Sequence, residues 1–278
     1  MVKSNKKIGV VIVNYKKNKQ LISLINELHN QTIENDICLI IVDNFVTYRT
    51  FEYNSNPNHK NIIFINPGKN IGYSVGVNTG VSAAISLGAD YILILSPDVG
   101  LLTTDKLYMI YKEYQNIGSE CLLGVVQKNP DNSFEPVGRT FPNPLAQFAR
   151  KNIFLSKFLK KFLIHYINKY DCTPLEHANL KVEWLQSSLL FFSKSVWLKL
   201  NGMDTRYFVF MADVDLCLRA RRKGIPSIVS RSIVVSADGV RAGGSSFIDI
   251  FRSKAGRIHI YDALKYYINQ LINLNSSK

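Results

Sequence analysis

Four short segments of this 278-residue chain carry residue types that do chemistry. Asp43 and Asn44 follow an apolar run, and a carboxylate at such a strand end can accept a hydrogen bond from the imide N–H of uracil or thymine. The same aspartate would serve equally well as a helix or turn cap. The stretch 70–80, with Asn70, Gly72, Gly76, Asn78 and Gly80, stands where helical spacing begins, and free backbone N–H groups at a helix start favour phosphate. A glycine-softened helix start packed closely on a sheet has the same composition. The stretch is neither G-x-G-x-x-G nor a P-loop, so a dinucleotide oxidoreductase or an NTPase gains no support. Asp98 follows Pro97 at the end of another apolar run, where a carboxylate either holds a divalent cation that bridges two phosphates or fills a turn. Asp213 and Asp215 open a helical stretch whose far end carries Arg219, Arg221, Arg222 and Lys223. Acids first and bases last complement the helix dipole, and the sharper reading makes one acid the general base for an acceptor hydroxyl.

The elements that must position these residues follow from periodicity. Residues 8–14, 37–43, 62–66 and 91–96 are β-rich and nearly all apolar, as strands buried on both faces are. Residues 17–30 and 74–87 carry helical spacing, so the order strand, helix, strand, strand, helix, strand predicts a doubly wound α/β sheet. In such open sheets ligands sit beyond the carboxyl ends of the strands, and Asn14, Asp43, Asn66 and Asp98 lie at those ends. Further strands are expected at 121–127, 184–192 and 227–235, with a helix at 213–223.

Composition narrows the partners. Hydrophobic residues make up 46% and charged ones only 20%, enough for one α/β domain with a large core. The net charge of +13 attracts polyanions, and with no nucleic-acid-binding motif present it points to phosphorylated substrates or anionic lipid. Cys38, Cys121, Cys172 and Cys217 form no C-x-x-C pair, which suits a reducing cytoplasm. The apolar run at 8–13 is too short to span a membrane. Residues 155–167 place Leu155, Phe158, Leu159, Phe162 and Tyr166 on one helical face and Lys157, Lys160 and Lys161 on the other. This is either a core helix or a peripheral contact with the inner face of the cell membrane. Residues 258–274 read as a packing helix. The five histidines, His29, His59, His165, His177 and His259, are isolated and read as surface or core residues.

In their order, the segments resemble the family 2 glycosyltransferases, especially the rhamnosyltransferase-like bacterial members that build surface polysaccharides. The matching pieces are Val10-Val11-Ile12-Val13-Asn14-Tyr15, Val42-Asp43-Asn44, Asn70-Ile71-Gly72 through Asn78 and Gly80, and Ser96-Pro97-Asp98-Val99. Further on come Trp184-Leu185-Gln186-Ser187-Ser188 and Asn201-Gly202-Met203-Asp204-Thr205-Arg206-Tyr207-Phe208, running into Ala212-Asp213-Val214-Asp215-Leu216-Cys217-Leu218-Arg219. The resemblance implies a GT-A (nucleotide-diphospho-sugar transferase) fold, with a doubly wound, mostly parallel central sheet and flanking helices. It implies one domain: residues 1–128 for the nucleotide sugar, 129–256 for acceptor and catalysis, and 257–278 as a terminal helix. The activity implied is an inverting hexosyltransferase that moves a sugar, rhamnose among the candidates, from a dTDP- or UDP-sugar to a lipid-linked saccharide in O-antigen or capsule synthesis. The roles carried over put Asn14 and Tyr15 in the nucleotide pocket, Asp43 on the pyrimidine, Asp98 on Mg2+ or Mn2+, and Asp213 as the base. Asn44, Asn70, Gly72, Asn78, Trp184, Gln186, Asp215 and Arg219 complete the implied substrate-binding set.

Three positions depart from the family pattern. Ser96-Pro97-Asp98 keeps only the last acid of the D-x-D type motif, Ala212 stands where a Glu is usual, and no His follows the late strand. Asp238 lies near the place of that His and is the candidate second metal ligand. These departures leave a second reading open, a catalytically impaired member that serves as a nucleotide-binding or assembly subunit.

Overall fold

The computed structural model describes residues 7–33, 36–45, 62–143, 169–239 and 253–275. Four strands, β1 (Ile8–Asn14), β2 (Ile37–Asp43), β3 (Ile62–Ile65) and β4 (Tyr91–Leu95), lie parallel in the order β3-β2-β1-β4. β2 is buried at every position because helices cover both faces of the sheet. On one face, α1 (Asn18–His29) and α3 (Lys106–Ile117) seat Leu21, Leu24, Ile25, Leu107 and Ile110 against Val10, Ile12 and Leu93. On the other, α2 (Tyr73–Ser86), α4 (Lys194–Leu200) and α5 (Ala212–Arg222) bring Val77, Val81, Trp197 and Leu216 to Val11, Ile92 and Ile94. Successive strand residues thus feed opposite layers, the period-two alternation of a pleated strand.

The parallel arrangement expected for the sheet holds from β3 to β4, and beyond β4 the sheet is mixed. Strand β10 (Leu189–Ser193) runs antiparallel to β4 and to β6 (Leu122–Lys128), because the chain reaches it at the carboxyl edge and must run back. Strand β11 (Ser227–Ala237) is parallel to β6 and antiparallel to β5 (Val99–Gly100) and β8 (Asn179–Val182). The single strand expected at 184–192 is two. β9 (Trp184–Leu185) pairs with β7 (Gly138–Arg139) in a separate two-stranded sheet, and Gln186, Ser187 and Ser188 separate it from β10. The break is held by Gln186 N donating to Val137 O (2.8 Å) and Ser188 O accepting from Ser96 N (2.7 Å).

Helix α6 (Lys254–Asn275) packs through Asp262 and Tyr266, while Tyr261, Leu264 and Ile268 on its other side are exposed, so it is a packing helix on one face only. The lysine-bearing stretch 155–167 lies outside the described residues. Among those described, no helix is long and apolar enough to cross a membrane. All four cysteines are free and buried.

Candidate active site

The carboxyl edge of β1, β2 and β4 gathers the acids. The parallel register sets Asn14 beside Asp43, and both side chains are buried. Asn14 Nδ2 donates to Asp43 Oδ1 at 3.0 Å and to Asn18 Oδ1 at 2.9 Å, while Phe45 N also donates to Asp43 Oδ1, at 3.1 Å. These bonds fix the carboxylate and leave its other oxygen, Asp43 Oδ2, buried without a hydrogen-bond partner among the described residues. Beside it, Asn44 Nδ2 donates to Gly72 O (3.0 Å), and Asn44 Oδ1 is likewise buried and unpartnered. Buried acceptors are rarely left unpaired, so two at one strand end point to a donor supplied by a ligand. Tyr15, 44% exposed, and Phe45 meet edge to face at 5.9 Å next to them, with the Lys16 ammonium over both rings.

A second cluster is joined to the first through the backbone of Lys17, whose N–H donates to Asn14 Oδ1 (3.2 Å). Its ammonium bonds Asp98 Oδ2 at 2.6 Å and Asp238 Oδ2 at 3.3 Å. Burial pulls the pKa of Lys17 down, but the hydrogen bond and charge of Asp98, with Asp238 behind them, outweigh it, and the net shift is upward. Ser96 Oγ holds the remaining oxygen, Asp98 Oδ1. Two carboxylates from separate elements therefore converge on one cation position. Among the described residues no group of three or more His, Cys, Asp or Glu side chains gathers. Magnesium, however, is usually held by one or two carboxylates together with water and substrate phosphates, so Asp98 and Asp238 fit such an ion.

The third cluster surrounds Asp213 in the first turn of α5. Asp213 Oδ2 accepts from Ser187 N at 3.3 Å, and Ser187 lies in the break between β9 and β10. Tyr73 Oη donates to that same serine, at 3.0 Å. Burial pushes the Asp213 carboxyl above the usual carboxylate range, against the pull of its backbone hydrogen bonds and of Arg139. The Arg139 guanidinium stacks over Trp184 at 5.4 Å and donates to Gln186 Oε1 at 3.1 Å. Since Ser188 O holds Ser96 N and Ser96 holds Asp98, the three clusters form one chain of contacts along the sheet edge.

A family model described as glycosyl transferase family 2 matches residues 9–174, more than half of the chain. The chain belongs to that family. It is a glycosyltransferase of GT-A fold, and its family takes nucleotide-sugar donors and saccharide acceptors. The N-acetylglucosaminyl-diphospho-decaprenol L-rhamnosyltransferase of Mycobacterium tuberculosis is 26% identical over 231 residues, 80% of this chain and 72% of that protein. The rhamnosyltransferase WbbL of Escherichia coli is 30% identical over 139 residues, 49% of this chain and 47% of WbbL. A crystal structure of S. aureus TarS in complex with UDP superposes with a TM-score of 0.56 at 13% identity, over 85% of this chain and 61% of TarS.

Several residues of this glycosyltransferase expected to bind substrate are engaged with protein partners. The glycines of α2 serve packing: a β-carbon on Gly80 would come within 2.4 Å of the Val11 side chain, and one on Gly76 within 3.0 Å of Val13. At the start of α2 two backbone donors already have protein acceptors: Tyr73 N donates to Phe208 O at 2.6 Å and Gly72 N to Asn70 Oδ1 at 2.9 Å. Gly72 itself has φ +84°, and a β-carbon there would meet Phe208 O at 2.7 Å. Asn78 makes two hydrogen bonds with the Met203 backbone, both at 2.8 Å, and lies deep along α2. Asp215 and Arg219 pair at 2.7 Å, and Arg219 also donates to Leu200 O and Gly202 O, bolting α5 to the end of α4. Ala212, where a Glu is usual in the family, is fully buried in the core. Lys17, Phe45 and Arg139 join the site without having been anticipated, while Tyr73 and Ser187 lie inside the stretches 70–80 and 184–188 but were not singled out there.

Proposed function

We propose that the chain is an inverting transferase that moves a hexose of the rhamnose type from a dTDP- or UDP-linked donor to a saccharide acceptor carried on a lipid diphosphate, in surface polysaccharide assembly. The observation that carries the donor half is Asp43 Oδ2, a buried acceptor without a partner beside the aromatic pair Tyr15 and Phe45. A pyrimidine with an imide N–H supplies the missing donor, and the rings supply a stacking surface. The acceptor half is supported by the M. tuberculosis relative, whose name specifies a sugar on diphospho-decaprenol, and by the net charge of +13.

Asp213 is the proposed base. Ser187 N–H holds one carboxylate oxygen and Val214 N–H holds the other at 2.9 Å, which fixes its direction, and its raised pKa makes it a stronger base than an ordinary aspartate. It would take the proton of the acceptor hydroxyl as that oxygen bonds to the anomeric carbon and the nucleoside diphosphate leaves from the opposite face. Asp98 and Asp238 would hold Mg2+ or Mn2+, which as a Lewis acid stabilises charge on the departing diphosphate. Tyr73, kept protonated by burial, remains a hydrogen-bond donor to Ser187 and orders the loop beneath the base.

Isothermal titration with dTDP, UDP and GDP, each with and without Mn2+, tests the reading first, followed by product formation from dTDP-rhamnose and UDP-sugars with a lipid-linked saccharide. Binding of dTDP or UDP but not GDP, with turnover of one donor, is the expected result. Absence of binding to either pyrimidine nucleotide would overturn it.

A further inference from the structure

Lys17 occupies an unusual place. It precedes the first residue of α1 as its N-cap, its backbone is pinned by Asn14 on one side and by Leu21 N donating to its carbonyl (2.9 Å) on the other, and no acidic residue stands in the first turn. A cation at a helix N-terminus opposes the helix dipole, so this lysine is not there for the helix. Its compensation comes from Asp98, three residues past the end of β4, and Asp238, just past β11, which are brought together only by the fold. The ammonium therefore stands at the point on which both carboxylates converge, the point that a divalent cation would need.

We propose that Lys17 is a tethered cation that fills the Asp98–Asp238 site of the nucleotide-free enzyme, so that divalent metal enters only together with a nucleoside diphosphate. The inference rests on the reading of the site as a nucleotide-sugar site and concerns how that site is loaded. A metal arriving alone must displace an ammonium that is bonded to both carboxylates and leave it in a half-buried position without a counter-ion. A metal arriving with a diphosphate brings that counter-ion, because the phosphate oxygens accept the displaced ammonium. Metal and nucleotide then favour each other's binding by the same factor, as linkage requires.

The test is titration of Mn2+ into the nucleotide-free protein, read by calorimetry and by electron paramagnetic resonance, for the parent, Lys17→Met, Lys17→Arg and the double variant Lys17→Met/Asp98→Asn. Circular dichroism of each variant confirms that it is folded. Lys17→Met is expected to bind Mn2+ at least tenfold more tightly than the parent, Lys17→Arg to bind as weakly as the parent, and the double variant to lose the gain, which locates the ion at Asp98. With saturating UDP or dTDP, the parent's Mn2+ affinity should rise at least tenfold, and that of Lys17→Met by much less. Equal Mn2+ affinities of the nucleotide-free parent and Lys17→Met, in protein that does bind UDP or dTDP, would overturn this inference alone. Failure of the parent to bind either nucleotide, with or without Mn2+, would remove the functional reading and the coupling with it.

Discussion

Replacing Asp43 with asparagine changes one oxygen for an amide nitrogen and is expected to rewrite base preference rather than destroy the pocket. Asn14 Nδ2 and Phe45 N both donate to Asp43 Oδ1, so the new amide would turn its oxygen toward them and its nitrogen to the place of the unpartnered Oδ2. An acceptor for the imide N–H of uracil or thymine thereby becomes a donor. Losing one hydrogen bond to a charged group is worth about 1.5–3 kcal/mol, which is roughly a 10- to 150-fold weakening of UDP and dTDP. Cytosine presents a ring nitrogen acceptor at the same position, so CDP should gain on UDP in the variant where it loses to UDP in the parent. Competitive calorimetric titration of UDP, dTDP and CDP against both proteins reads this directly, with circular dichroism as the control for folding. If the variant kept its UDP affinity, or if all three nucleotides weakened equally, Asp43 would not be reading the base, and its orphaned oxygen would need another explanation.

Asp213→Asn should lower kcat by roughly a hundredfold to ten-thousandfold, with nucleotide affinity little changed, in a steady-state assay with a turned-over donor. The parent's kcat should rise with pH through a value above the ordinary carboxylate range, since the protonated acid cannot act as a base. Because the folded pKa of Asp213 is raised, the folded state holds a proton that the unfolded chain has already released, and this contribution to stability is lost as pH rises through the folded value. The uncharged Asp213→Asn variant should therefore melt above the parent near neutral pH and converge with it as pH falls through the ordinary carboxylate range. Asp262→Ala removes a buried carboxylate that accepts from Phe208 N, Val209 N and Phe210 N at 3.1, 3.0 and 2.9 Å. Urea unfolding should show a loss of about 3 kcal/mol or more, because three backbone donors lose their acceptor at once. Gly80→Ala forces a β-carbon against Val11 and should cost about 1–3 kcal/mol by the same measurement; an unchanged midpoint would mean that α2 can lift from the sheet freely.

Much of the first half was legible because its signals are local. Strands buried on both faces read as unbroken apolar runs, and a strand end followed by Asn14, Asp43 or Asp98 needs no distant partner to be recognised. Helix α3 escaped notice although its buried residues Leu107, Ile110 and Tyr114 keep helical spacing, because the stretch carries no chemical motif. The second half resisted for a different reason. Strands β9 and β10 differ in their pairing partners, and the turn between them is dictated by Val137 and Ser96, residues far away in the chain.

The amino-acid order by itself determined the acids, their places at strand ends, and the family to which their sequence of motifs belongs, since each depends on composition within a few residues. Tertiary structure decided which side chains are available for ligands. Asn78, Asp215 and Arg219 carry polar groups as capable as those of Asn14 and Asp213, but the fold gives them protein partners, while it leaves Asp43 Oδ2 with none and sets Lys17 between Asp98 and Asp238. A hydrogen bond or ion pair across 81 or 221 residues of chain is a property of the packed sheet edge and of no local pattern.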